Sequence, residues 1–399
     1  MSHALLAPSS ADVWSMCPGS VTLVSMVPET DKWKSEADEG TAAHWVCEQV
    51  LLECVENGYW DQNQVKEYLG WTAPNGIVVT KDMIEGAMMY MGEVDKVAAS
   101  SMYMNMGVER KVQTHIHPEC AGTPDSDLIE ETDKGRTLHV FDYKFGHGDV
   151  PAFRNKQLTC YLDGILWELG ADDLSIADLT IHFHIIQPRC FTENGPVKEW
   201  VFPATSSILD ELIRELTAAA DEAMSPGAET KSGNHCRYCP ARHQCGSARL
   251  AALDGVRYQN TASPEVLSDQ GISFEAMALD NAMRALKYRL EAIEDEIQSR
   301  VSSGKNIPHY SVVLGKGRRA WDVDMDTLKM VVDGIDVNLV KDPEPVTPAE
   351  AKRRLMTSGM TGKEADSTLE GLASAPSTGF KVTRTDESKA TLIFSNLSE

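Results

Sequence analysis

No uninterrupted apolar run in this sequence approaches the roughly 20 residues a helix needs to cross a bilayer, so a membrane-spanning chain is not expected. The first residues, MSHALLAPSS, lack the basic and apolar regions of a secretory leader. Cysteine is too sparse and too unevenly placed, nine in 399 residues, for a secreted disulfide scaffold. The reducing cytoplasm is the expected compartment, and clustered cysteines there point to metal. Positive charge is also scarce: 37 Lys and Arg stand against 60 Asp and Glu, for a formal net charge of −23. Broad adhesion to a polyanion is thereby excluded, because such adhesion comes from neutralised phosphates. Any nucleic-acid contact must be a local basic groove, with Lys231, Arg237, Arg242 and Lys316, Arg318, Arg319 as candidates. A GxxxxGK[ST] phosphate loop is missing too, since the nearest string, GMTGKE from Gly359 to Glu364, has the wrong spacing and ending. A P-loop motor is therefore not expected.

What is present suits a globular chain, with 42% hydrophobic and 24% charged residues. From Gly40 to Asn57 the apolar positions Ala43, Val46, Cys47, Val50, Leu51 and Cys54 recur at helical spacing, which puts His44 and Glu48 on one face. A second helix is expected from Lys81 to Met104, then strands over Gly107 to Thr114, Asp125 to Glu131 and Thr137 to Lys144. A helix from Phe153 to Leu169, a strand from Leu179 to Arg189 and a helix from Ser206 to Met224 complete the run. Such alternation predicts an α/β fold with α+β mixing, a central mixed sheet flanked by helices. Residues 1–250 form the expected main domain. Residues 251–399 are an accessory, mainly helical region. It opens on an amphipathic helix over about 274–302, whose stripe Leu279, Met283, Leu286, Leu290, Ile293, Ile297 and Val301 is expected to pack on its own domain.

Two acidic positions stand out. AGTPDSDLI places Asp125 after a Gly and Pro turn at the start of a strand, and VFDYKFG places Asp142 and Lys144 two apart, hence on one face of the next strand. Two carboxylates offer hard oxygen ligands for Mg²⁺ or Mn²⁺, and a lysine beside them can orient water or stabilise developing charge. An Asp-x-Lys triplet alone is common. Here four motifs occur in order: Gly40, Thr41 and His44; Gly122 and Asp125; Asp142, Tyr143 and Lys144; Gln157 with Tyr161 four apart on a helix. In this order the sequence resembles the RecB-like branch of the PD-(D/E)XK nuclease superfamily. The resemblance implies a nuclease-type core, and a metal site of His44, Asp125, Asp142 and the Tyr143 carbonyl. It also implies catalytic roles for Asp125, Asp142, Lys144, Gln157 and Tyr161. Glu109 and Glu48 could each add a carboxylate but are not required by the pattern, and a salt-bridged role is expected for Asp127.

The spacing Cys236-x2-Cys239-x5-Cys245 supplies three thiolates from one loop, and a metal site needs a fourth ligand. Cys47, Cys54, Cys120, Cys160 and Cys190 sit singly and read as buried small hydrophobes. Cys17 differs, with Pro18 following it as Pro240 follows Cys239. Cysteines flanking the nuclease motifs on both sides are similar to the iron–sulfur subgroup of RecB-like nucleases, as in AddB-type and CRISPR-adaptation enzymes. That resemblance implies a [4Fe–4S] cluster on Cys17, Cys236, Cys239 and Cys245. A structural Zn²⁺ is the competing cofactor, with His235 or His243 able to replace a thiolate.

Together these imply a stand-alone Mg²⁺- or Mn²⁺-dependent deoxyribonuclease acting at linear DNA ends, from the 5′ end, in phage or bacterial recombination, repair or degradation, beside a single-strand annealing recombinase. The alternatives are a non-catalytic DNA-binding protein on the same fold and a structure-specific endonuclease.

Overall fold

In the computed structural model the described residues are 4–27, 34–58, 62–101, 106–132, 135–170, 178–190, 195–258, 268–316, 320–321, 327, 340–341, 344–357, 360, 362–374 and 377–384. The chain forms two compact units, Met1–Ile293 and Glu294–Glu399.

The first unit begins with two short helices, α1 (Ala11–Trp14) and α2 (Ser20–Ser25), followed by α3 (Lys34–Asn57), α4 (Gln62–Glu67) and α5 (Lys81–Ser101). The expected strand over Gly107 to Thr114 is split into β1 (Met106–Val108) and β2 (Val112–Gln113). The break falls at Glu109, whose φ of 43° lies outside any strand conformation. Then come β3 (Ala121–Gly122), β4 (Ser126–Thr132), β5 (Gly135–Tyr143), α6 (Lys156–Glu168), β6 (Leu179–Ile186), β7 (Val197–Pro203), α7 (Ser207–Met224), α8 (Gly246–Tyr258) and α9 (Asp269–Ser302).

Five strands make one mixed sheet in the order β1-β4-β5-β6-β7, with β5 and β6 parallel and the other pairs antiparallel. A parallel pair needs a crossover, and α6 supplies it. Period-two alternation in β5 then sorts its side chains. Phe141 and Tyr143 pack against α3 and α5, among Val46, Val50, Met83, Tyr90 and Met91. Leu138 and Val140 pack on the other face, against Leu158, Leu162 and Ile165 of α6. Helix α6 starts at Lys156 rather than Phe153 because Asn155 caps it, its side-chain oxygen accepting the Leu158 N–H at 3.0 Å. Strand β7 carries inward Lys198 and Phe202 on an alternating pattern that the sequence reading passed over.

The first unit ends later than the expected boundary near 250. Arg289 Nη1 of α9 donates to the carbonyls of Arg242 (3.1 Å) and His243 (2.7 Å), holding this part of the helix within the first unit. The apolar stripe of α9 does not follow that attachment: Leu279, Met283 and Leu290 remain 44%, 69% and 59% exposed. In the second unit, strands Tyr310–Lys316 and Ser377–Arg384 pair antiparallel. Helices Pro348–Thr357 and Gly362–Leu369 pack through Ala351, Leu355, Ala365 and Leu369. No described helix of either unit is long and apolar enough to cross a membrane.

Leu162 is fully buried under the sheet. Leu162→Ala should lower the unfolding free energy by about 2–5 kcal/mol. Leu52→Ala, at a largely exposed position of α3, should cost less than about 1 kcal/mol. Urea denaturation midpoints of the two variants would separate these outcomes.

Candidate active site

Antiparallel pairing sets the centre of the site. Ser126 pairs with Phe141, so continuing the register by one residue places Asp125 opposite Asp142, on the same face at the end of the sheet. The backbone N–H of Tyr143 donates to Asp125 Oδ2 at 2.6 Å, and His44 Nδ1 of α3 lies 3.1 Å from Asp125 Oδ1. Asp125 therefore joins α3 to the rim of the sheet. Burial alone would raise its pKa, but His44, Lys144 and the Tyr143 N–H outweigh this and hold it below the usual carboxylate value. His44 answers in the same sense: burial disfavours its charge, but the Asp125 carboxylate raises its pKa above the ordinary value. Both shifts express the one close contact between imidazole and carboxylate.

On the α6 side, Asp142 is 1% exposed. Lys144 Nζ donates to Asp142 Oδ1 at 3.0 Å and to Gln157 Oε1 at 2.9 Å. Gln157 Nε2 lies 2.9 Å from Asp142 Oδ1 and 3.0 Å from the Tyr161 hydroxyl. The cap at Asn155 fixes the first turn of α6 and so aims Gln157 and, one turn on, Tyr161 at the strand end. Burial pushes Asp142 up to about 6, with Lys144 opposing and Asp125 adding to the rise. Asp142 Oδ2 lies 2.9 Å from Lys144 Nζ without hydrogen-bond alignment, leaving a buried carboxylate oxygen unsatisfied. The phenol of Tyr143 points the other way, into the α3 and α5 core beside Tyr90 and His44, so Tyr143 meets the site through its backbone. Gly122 is required by close approach, since a Cβ there would come within 2.8 Å of the Tyr161 ring and 2.7 Å of Pro8.

The structure adds a residue that the motif reading left optional. Glu109 stands at the strained break between β1 and β2, its N–H donating to the Asp125 carbonyl at 3.1 Å. Ligand atoms of His44, Glu109 and Asp125 lie within 4.8 Å of one another. Burial and the Asp125 charge push Glu109 up to about 8. These three residues, with Glu48, Gly40 and Thr41, line a cleft of about 710 Å³. Only the positive φ, which no strand pattern announces, separates Glu109 from an ordinary exposed strand residue. Asp127 has its expected salt bridge: Arg110 Nη2 and Nε donate to its two oxygens at 3.0 and 3.1 Å.

The donor set fits a hard divalent cation: carboxylates crowded enough to suppress one another's ionisation, one oxygen unsatisfied, and an imidazole alongside.

The four cysteines named from sequence are buried and free of disulfides, as are the other five. Cys17 follows α1, and Cys236 lies in a one-turn helix, Asn234–Tyr238, that packs against α1. Burial and neighbouring Cys245 raise the Cys17 pKa, and burial with Cys17, Cys236 and Cys245 around it pushes Cys239 up to about 11. Lys231 N–H donates to Cys17 Sγ (3.2 Å) and Gly233 N–H to Cys236 Sγ (3.3 Å), contacts suited to thiolates held by a metal or cluster. His235 Nε2 is held by the Lys231 carbonyl at 2.9 Å. The basic groove expected nearby does not form as such. Arg242 is buried and donates to the Arg237 carbonyl, and Lys231 pairs with Glu222 at 2.9 Å. Arg318 and Arg319 lie outside the described residues.

A carboxylate whose folded pKa is raised stabilises the protein below its ordinary pKa and loses that contribution as pH rises through the folded value. In chelator, Glu109→Gln should therefore gain melting temperature relative to the native chain as pH rises from about 5 to 8, the range between the ordinary glutamate value and the raised one. A constant difference across that range would contradict the assignment of the buried charge to Glu109.

The carboxylate site and all four cysteines fall within residues 3–379, the segment matched by a family model, and the chain belongs to that family, described as protein of unknown function (DUF2800).

Proposed function

We propose that this protein is a metal-dependent deoxyribonuclease of the RecB-like branch of the PD-(D/E)XK superfamily, hydrolysing phosphodiester bonds at DNA ends. One observation carries the reading. Residues scattered from His44 to Tyr161 meet at the adjoining ends of β4 and β5, with Lys144 on Asp142 and His44 on Asp125. Carboxylates, an imidazole and an ammonium so grouped suit cation-assisted in-line phosphodiester hydrolysis.

His44, Glu109, Asp125 and Asp142 would hold Mg²⁺ or Mn²⁺, with the Tyr143 carbonyl as a further donor. The bound cation supplies charge neutralisation at the phosphate and lowers the pKa of the attacking water. Lys144 sits on the Asp142 carboxylate with its side chain one quarter exposed, so its ammonium faces water and carboxylate together. It orients the nucleophile and balances charge that grows on the phosphate oxygens. Gln157 fixes Lys144 by accepting a hydrogen bond from its ammonium, and Tyr161 fixes Gln157 in turn by accepting one from its amide. Water adds to phosphorus and gives up a proton to solvent, the bond to the leaving oxygen breaks, and that oxygen takes a proton from solvent. The cleft beside His44 and Glu48 is the approach for the strand end.

The cysteines extend the same reading. Four buried thiols from the two ends of the domain, two of them already receiving backbone N–H groups, suit a [4Fe–4S] cluster that closes the loop between residues 17 and 236.

Anaerobically purified protein with Mg²⁺ or Mn²⁺ should degrade end-labelled linear DNA and leave closed circular DNA intact. Asp142→Ala and Lys144→Ala should each lose at least about 10²-fold in rate with the fold and iron content unchanged. Residual cleavage near the native rate would sink the assignment, and nicking of the circle would make the enzyme an endonuclease. Cys17→Ser should remove the iron and the brown visible absorption, and lower the melting temperature. A zinc-loaded, colourless native protein would replace the cluster by the tetrahedral alternative.

A further inference from the structure

Three histidines outside the nuclease site meet on the sheet face that β5 shares with Phe141. His139 pairs in register with His182 across the parallel β5–β6 ladder, and Phe141 with His184, so the three rings stand on one face. His184 is stacked on Phe141 at 4.3 Å and on His182 at 3.9 Å between ring centroids. Glu199 of β7 is the register partner of His184, and brings its carboxylate to the same place.

Hydrogen bonding within the group is incomplete. His139 Nδ1 and His184 Nε2 are 2.9 Å apart, and His139 Nε2 faces Glu130 Oε2 at 3.4 Å. His184 Nδ1 is buried without a hydrogen-bond partner, its side chain 97% withdrawn from solvent, and His182 Nε2 meets the Glu199 carboxylate. A buried ring nitrogen without a partner costs stability that valine or isoleucine on this sheet face would not. Glu199 Oε1 lies 3.1 Å from His182 Nε2 and 3.4 Å from His184 Nδ1. Ligands bound at about 2.0–2.1 Å in a tetrahedron are separated by about 3.3 Å, and the carboxylate stands at that spacing from these two imidazoles. The three imidazoles bring ring nitrogens within 4.8 Å of one another.

We propose that His139, His182 and His184, closed by Glu199, form a second metal site that takes a borderline transition-metal ion of the Zn²⁺ class and staples β5, β6 and β7 together. Three nitrogens and one oxygen select against the hard Mg²⁺ or Mn²⁺ that suits the carboxylate site. A neutral imidazole offers one lone-pair nitrogen, the donor that an ion of this class binds. Glu130 behind His139 orients the ring that it faces, as carboxylates do behind metal-bound imidazoles. The site lies on the opposite sheet face from Asp142, three residues back along β5, or about 10 Å. Its role is structural, and it stands apart from the hydrolytic chemistry.

The test is Co²⁺ titration of the full chain after metal stripping, read in the visible. Thiolate-to-cobalt charge transfer reports the cysteines, and ligand-field bands without it report nitrogen and oxygen donors. With Mg²⁺ in excess to fill the carboxylate site, the native chain should bind one equivalent of the second kind, and Zn²⁺ should compete it away and raise the melting temperature. His184→Gln alters a buried ring of the sheet, so Glu199→Gln at the half-exposed position is the second variant. It should bind Co²⁺ at least about tenfold more weakly with unchanged cysteine bands. Cobalt spectra showing thiolate ligation alone, or an affinity that Glu199→Gln leaves unaltered, would overturn the proposal.

Discussion

Asp125 is held from two sides at once, by the N–H of Tyr143 at the end of β5 and by His44 from α3, and most of the candidate site follows from that double contact. It anchors a helix to a strand end by a charged group that is itself buried. A carboxylate in that position is stable only because an imidazole, an ammonium and a backbone N–H share its charge. Asp142, opposite it in the register, has Lys144 and Gln157 as partners, but burial and the Asp125 charge push its pKa up. Glu109 is pushed higher still. The three carboxylates form a gradient of unsatisfied charge at one end of the sheet, and a divalent cation is the species that would relieve it.

The chain's large negative charge sharpens this reading. A protein at −23 does not hold DNA by long-range attraction, so binding must come from a cleft in which individual groups are aimed at phosphate. Under the proposed function Lys144, one quarter exposed beside Asp142, would be such a group. Arg242 is not, since it is spent inside the cysteine loop on the Arg237 carbonyl. Cations visible in sequence therefore divide into one that serves the site and others that serve the fold.

The cysteine loop illustrates a second constraint, closure of a long segment. The N–H of Gly19 donates to the Glu229 carbonyl at 2.9 Å, and Val13 packs with Cys239 and Ala241, so the two ends of the domain touch before any metal is considered. A cluster there would reinforce a junction that backbone bonds and apolar contacts have already made. The histidine face repeats the principle on a smaller scale, with strands β5 to β7 already paired and the imidazoles left with nitrogens to spare.

Much of this was legible from the residues in order. Helical periodicity placed His44 on α3, strand alternation put Asp142 and Lys144 on one face, and helical spacing brought Gln157 above Tyr161. Each depends on neighbours a few residues apart, and local backbone geometry fixes such relations whatever the surroundings. The mixed sheet followed from the alternation of helix and strand. Tertiary structure alone decided what depends on distant segments. The register of β4 on β5 set Asp125 opposite Asp142. The left-handed backbone at Glu109 turned an ordinary strand acid into a third carboxylate of the cleft. Three histidines, one from β5 and two from β6, became neighbours only when those strands paired in parallel. Sequence determines which side chains share an element's face; pairing and burial determine which faces meet, and a site's charge balance exists only after they do.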